Sequence, residues 1–126
     1  MNVQAWQQAA SFSPDGKNLL FDQIGNRGPS VWALAMEGDR QPHPLSTVEF
    51  PEGAGKFSPD GKWVLYCSME SGQAEIYVQQ WPGPGAKIHI SSEGGMDPMW
   101  RRDGKEIFYR NGAKMMAVTI STQPTF

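Results

Sequence analysis

A single cysteine, Cys67, stands in the 126 residues, so no disulfide can form within the chain and cysteine gives no reading of compartment. No apolar run approaches the roughly 18 residues of a membrane span, so no membrane-spanning segment is expected. Neither sign of charge dominates. Eleven Lys and Arg against 13 Asp and Glu leave a net charge of −2, and without a basic block there is no surface for nucleic acid. Met1-Asn2-Val3-Gln4 has neither a positive n-region nor an apolar h-region, so no export signal is expected in this chain. Also missing are a Gly-x-Ser-x-Gly elbow, a His-Glu-x-x-His pair, a Walker loop and a dinucleotide fingerprint. The nearest glycine-rich stretch, Gly83-Pro84-Gly85, carries proline where a phosphate cradle needs N–H donors. No cofactor, metal or catalytic residue is therefore expected.

What the chain has in quantity is turn residues. Its 14 glycines and 10 prolines sit between short apolar runs, the pattern of a many-turned β protein. The most informative stretch, Phe12-Ser13-Pro14-Asp15-Gly16-Lys17, returns as Phe57-Ser58-Pro59-Asp60-Gly61-Lys62 and, altered, as Trp100-Arg101-Arg102-Asp103-Gly104-Lys105. The copies lie 45 and 43 residues apart, a period that in strand-like sequence indicates repeated four-stranded sheets of the β-propeller kind. Pro14 and Pro59 preset φ for a type I turn, and Asp15 and Asp60 can bond back to nearby N–H groups. Gly16 and Gly61 supply the left-handed step that closes a three-residue hairpin. In the third copy Asp103-Gly104 keeps that step, but Arg101-Arg102 removes the proline, so this hairpin is expected to be the loosest. The three aspartates are read as turn formers.

After each hairpin comes a consecutive apolar run, Leu19-Leu20-Phe21, Val64-Leu65-Tyr66 or Ile107-Phe108-Tyr109, which suits a strand covered on both faces by neighbouring blades. Third strands are expected at 30–34, 75–79 and 114–118, the last entered through a type I′ turn at Asn111-Gly112. Fourth strands are expected at 41–46 and 86–91; Pro42 and Pro44 mark the first as an edge. The fold expected is all-β, a partial propeller of three blades at 9–46, 53–91 and 96–120. The third lacks its fourth strand, whose counterpart falls beyond Phe126, and residues 1–8 are a candidate closing strand.

The Phe-Ser-Pro-Asp-Gly-Lys hairpin, with Ile76-Tyr77-Val78 following Tyr66, resembles the WD-repeat-like propeller repeats of the TolB family. The third copy, from Gly94-Gly95-Met96-Asp97-Pro98-Met99-Trp100 to Lys114-Met115-Met116-Ala117-Val118, is similar to propeller domains that follow bacterial serine/threonine kinase or regulator domains. The resemblance covers 9–126 and implies part of a propeller of roughly six or more blades. Two functions fit. One is a non-catalytic binding or scaffold module meeting a protein or small ligand; the other is the regulatory propeller of a prolyl oligopeptidase-like hydrolase whose catalytic domain lies outside these residues.

Acids gather in the loops leading into the inner strands, at Glu49, Glu52, Glu93 and Asp97. In a propeller these loops open at one mouth of the channel, where a ligand, cation or partner peptide would dock, although a solvated loop rim is the preferred reading of these acids. His43 and His89 fall at different repeat positions and make a poor metal site. Cys67 reads as a small hydrophobe, and Trp32, Trp63 and Trp100 as core residues. Three blades leave apolar faces uncovered, which drives association. A homodimer forming a six-bladed ring is expected, with residues 2–6 adding a strand beside the partner's third blade.

Overall fold

The computed structural model describes residues 6–25, 28–38, 40–45, 51–82 and 87–120. Three antiparallel sheets follow one another along the chain. The first contains β1 (Trp6–Phe12), β2 (Asn18–Gly25), β3 (Gly28–Ala35) and β4 (Pro42–Pro44), hydrogen-bonded in that order. The second repeats the order with β5 (Glu52–Phe57), β6 (Trp63–Ser68), β7 (Glu75–Gln80) and β8 (Lys87–His89). The third contains β9 (Met96–Trp100), β10 (Glu106–Asn111) and β11 (Lys114–Thr119). The all-β fold of blade-like sheets is thus as the repeat predicts, and among the described residues no helix is long and apolar enough to cross a membrane.

The hairpins joining the first two strands of each sheet close as turn chemistry requires. Gly16, Gly61 and Gly104 have φ of 73°, 75° and 76°. Each glycine N–H reaches back to the carbonyl of Ser13, Ser58 or Arg101 at 2.9, 2.9 and 2.8 Å. The serines do more than precede proline. Ser13 Oγ donates to Asp15 Oδ1 at 2.6 Å while accepting the Asn18 N–H at 3.0 Å, and Ser58 makes the same pair with Asp60 and Trp63. In the third turn Arg101 takes over, pairing with Glu106 at 2.6 Å and Asp103 at 3.3 Å. The backbone of that hairpin closes as the other two do, with exposed ion pairs in place of the proline and the serine bonds.

Two apolar clusters hold the sheets together. Leu20, Val31 and Ala33 of the first sheet meet Phe57, Val64, Tyr66 and Tyr77 of the second. The opposite face of the second sheet, with Trp63, Leu65, Ile76 and Val78, meets Ile107 and Tyr109 of the third. The second sheet is covered on both faces, which is why β6 and β7 bury almost every residue. Proline rings add a second line of contact at the hairpin end. A Cβ on Gly61 would lie 3.2 Å from Pro14 Cδ, and one on Gly104 would lie 3.6 Å from Pro59 Cδ. Gly16 has nothing within 4 Å, so Gly16→Ala carries only the cost of a Cβ at positive φ, about 1 kcal/mol. Gly61→Ala should cost measurably more, because Pro14 must also move. Urea denaturation of the two variants checks this ranking; equal losses would dismiss the proline contact.

Several details depart from expectation. β1 begins at Trp6, which pairs with Ile24, so residues 6–8 belong to the first sheet and are not free to close another. Residues 1–5 lie outside the described residues, as does Glu49. The fourth strands are only three residues long. Asn111 pairs with Lys114, so the turn is Gly112-Ala113. Only Gly112 of these two has positive φ, 59°, which makes the turn type II′ and not I′. A bulge interrupts the inner strand of every sheet, between Ala9 and Ser11, between Gly53 and Lys56, and between Met96 and Met99. Ala54 and Asp97 sit in two of these bulges at φ of 59° and 53°, a conformation unusual outside glycine.

Candidate functional site

The end of the sheets opposite the hairpins gathers the loops that lead into β5 and β9 and those that join β6 to β7 and β10 to β11. Backbone bonds fasten them: Met69 N–H to Pro51 O and Gly95 N–H to Ala74 O, both 2.9 Å. Asn111 Nδ2 donates to the carbonyls of Glu93 and Gly94 at 3.1 and 3.2 Å.

At the centre of this end lies Glu75, the first residue of β7 and 2% exposed. Its Oε1 accepts the Ser91 hydroxyl at 2.6 Å and the Gly94 N–H at 2.8 Å; its Oε2 accepts Gln73 Nε2 at 3.2 Å and faces His89 Nε2 at 3.6 Å. Burial pushes this carboxyl up, but the donors and His89 outweigh it and hold the group below the ordinary carboxylate range. The set contains serine, carboxylate and imidazole, yet their order is wrong for nucleophilic activation. The Ser91 hydroxyl donates its hydrogen bond to the carboxylate, and Ser91 Oγ accepts the Ile76 N–H at 2.8 Å. Ser91 is 2% exposed and fully engaged. The network's geometry is that of a clamp tying β7 to the loop before β9.

A second polar position recurs through the middle strands. Asp22, Cys67 and Arg110 occupy equivalent sites on β2, β6 and β10, where the pairings place them. Asp22 Oδ2 accepts the Ala54 N–H at 3.2 Å, the donor that the β5 bulge frees from the ladder. Asp22 Oδ1 is buried without a hydrogen-bond partner among the described residues, and burial pushes the carboxyl up, partly opposed by the Ala54 N–H and Lys56. Cys67 Sγ reaches Gly95 O at 3.5 Å, and burial, with the charges of Asp97 and Glu75, raises its thiol pKa. A thiol in that state is protonated and unreactive. Arg110 instead faces its own sheet and pairs with Asp97 at 2.9 Å.

The four predicted acids therefore separate. Glu52 opens β5 and is 3% exposed, so it belongs to the interior and not to a solvated rim. Glu93 and Asp97 are exposed and lie together beside Asn111 and Arg110. Among the described residues no group of three or more His, Cys, Asp or Glu side chains is arranged to hold a metal ion. The turn residues Pro14, Asp15, Gly16, Pro59, Asp60, Gly61, Asp103 and Gly104 lie at the hairpin end, as their turn role predicts. A small recess there, lined by Ser58, Pro59, Asp60, Trp100, Asp103 and Gly104, is too shallow to enclose a ligand. His89 stacks on Tyr77 with ring centroids 4.6 Å apart, and Trp100 Nε1 donates to Lys56 O at 3.2 Å across the second joint. The Glu75 clamp escaped sequence reading; its one signal was a charged residue placed directly before the apolar run Ile76-Tyr77-Val78.

No family model and no curated protein matches the chain. Solved structures do. A protein assigned as TolB from Agrobacterium tumefaciens superposes with a TM-score of 0.73 at 21% identity, over 86% of this chain and 38% of its own. TolB from Acinetobacter baumannii gives 0.71 at 24%, over 89% and 29%. A protein assigned as a 6-phosphogluconolactonase from Bacteroides uniformis gives 0.55 at 20%, over 95% and 39%. The chain thus spans well under half the length of these structures. At such identities the likeness speaks for architecture, and the three sheets are blades of a TolB-like β-propeller.

Proposed function

We infer that the chain is a non-catalytic interaction module whose loop end takes a basic segment of a partner protein. The observation that carries this reading is the division of polar groups at that end. Glu75 and Ser91 are buried and bound to one another, whereas Glu93 and Asp97 stand exposed on the loop and bulge leading into the third blade, Asp97 sharing its charge with the equally exposed Arg110. Exposed loops on a rigid sheet scaffold are where propellers present recognition groups. Acidic rim residues would steer a cationic peptide and weaken with salt.

A deca-lysine peptide titrated into the purified chain at low ionic strength, followed by calorimetry, tests the reading. The expected result is salt-sensitive binding that falls about tenfold in the double variant Glu93→Lys, Asp97→Lys. Absence of binding, or binding indifferent to the two reversals, would overturn it. Turnover of an esterase or peptidase substrate, abolished by one point change in this chain, would contradict its non-catalytic part.

A further inference from the structure

The two outermost faces of the blade stack are the faces that the inner joints use. In β10 and β11, Ile107 and Tyr109 turn toward the second blade, so Phe108, Arg110 and their cross-strand neighbours turn outward. Phe108 lies between Met99 and Ala117, and Arg110 between Met96 and Met115. Met96, Met99 and Met115 are 49%, 58% and 72% exposed, an apolar face without a cover among the described residues. By the repeat, Phe108, Ala117 and Met115 hold the places of Leu20, Ala33 and Val31, the surface that receives the second blade.

At the other end Phe12, 57% exposed, and Leu19 point away from the second blade. They hold the places of Phe57 and Val64, the residues that dock onto Leu20 and Val31. One end of the stack is therefore built as a receiving face and the other as a docking face.

We propose that the outer face of the third blade binds the first blade of a second copy of this chain, head to tail. The hairpin end supplies the charge complementarity. At the inner joints Pro14 packs on Gly61 and Pro59 on Gly104. At the outer joint Arg102 stands in the proline's place, and the turn it meets in the second copy is Asp15-Gly16, with Asp15 exposed. A guanidinium opposite a carboxylate replaces ring on glycine. Reciprocated, two copies make one closed ring of six sheets.

Light scattering and sedimentation of the 126-residue chain at micromolar concentration should give about twice 14.0 kDa. Met115→Glu and Phe12→Glu, both at exposed positions, should each shift the protein toward monomer with an unchanged circular dichroism spectrum. An equimolar mixture of the two variants should regain dimer, because one joint then has both native faces. Arg102→Glu should weaken the dimer most at low salt. A folded wild-type monomer would overturn the proposal and leave the faces to further blades of a longer chain. A dimer that survives Met115→Glu, or a mixture that stays monomeric, would overturn the head-to-tail geometry.

Discussion

Glu75→Ala is expected to lower the stability of the chain by about 3 kcal/mol, since it leaves buried donors without an acceptor at roughly 1–3 kcal/mol apiece. The groups stranded are the Ser91 hydroxyl and the Gly94 N–H, both of which now meet Oε1. Glu75→Gln keeps one acceptor oxygen for that pair but turns an amide toward Gln73 Nε2, so its loss should be smaller, about 1 kcal/mol. Wild type and Glu75→Gln also separate by pH. The wild-type carboxyl is held below the ordinary range, so it binds its proton less readily folded than unfolded. Its contribution is complete above the unfolded value of about 4.3 and drains away as pH falls through the lower, folded value. Urea denaturation from about pH 7 down to about pH 3 should show wild type losing its advantage over Glu75→Gln across that window. Parallel pH curves for the two proteins would mean that Glu75 is not the clamp described.

The hairpins and blade register were legible because their determinants are local. Pro14, Asp15 and Gly16 set one turn within four residues, and Leu19-Leu20-Phe21 announces a covered strand immediately after it. The clamp was not legible, because Glu75 and Ser91 are brought together only by the β7–β8 pairing and the loop beyond it. The acids show the same limit. Glu52 and Glu93 look alike in sequence, each in the stretch leading into an inner strand. Glu52 opens a strand packed between the first and third sheets, whereas Glu93 lies on the loop before β9, exposed, with its carbonyl held by Asn111. The two hold different places in the repeat, since Glu52 matches Gly95 of the third blade and Glu93 lies two residues further from the strand. Asp22, Cys67 and Arg110 make the point at one position: the side chain follows what the adjoining backbone offers, an N–H at Ala54 and a carbonyl at Gly95.

Gly95→Ala should be among the most damaging single-methyl additions in the chain, at about 3 kcal/mol, the upper range for overpacking a well-filled site. A Cβ there would lie 2.8 Å from Ile76 Cγ1, 2.9 Å from Tyr109 Cδ2 and 3.1 Å from Ser91 Oγ. Ile76 belongs to the second blade and Tyr109 to the third, and both are buried, so neither can swing aside. The backbone cannot retreat either, because the Gly95 N–H is held by Ala74 O and its carbonyl receives Cys67 Sγ. Gly55→Ala meets Val31 Cγ1 at 2.9 Å and Leu20 Cδ1 at 3.4 Å, both on one neighbouring sheet that can shift, and should cost less, about 1–2 kcal/mol. Trimming the obstruction should recover part of the loss. The cost of Gly95→Ala combined with Ile76→Ala is expected to fall short of the sum of the two singles by 1 kcal/mol or more, roughly the coupling of contacting residues. The effect should also reach the loop end. Gly94 caps Glu75 and Glu93 is anchored through Asn111, so a displaced Gly95 should weaken deca-lysine binding even where the chain remains folded. A Gly95→Ala protein that unfolds at the same urea concentration as Gly16→Ala would show that the joint between the second and third blades is looser than these distances require.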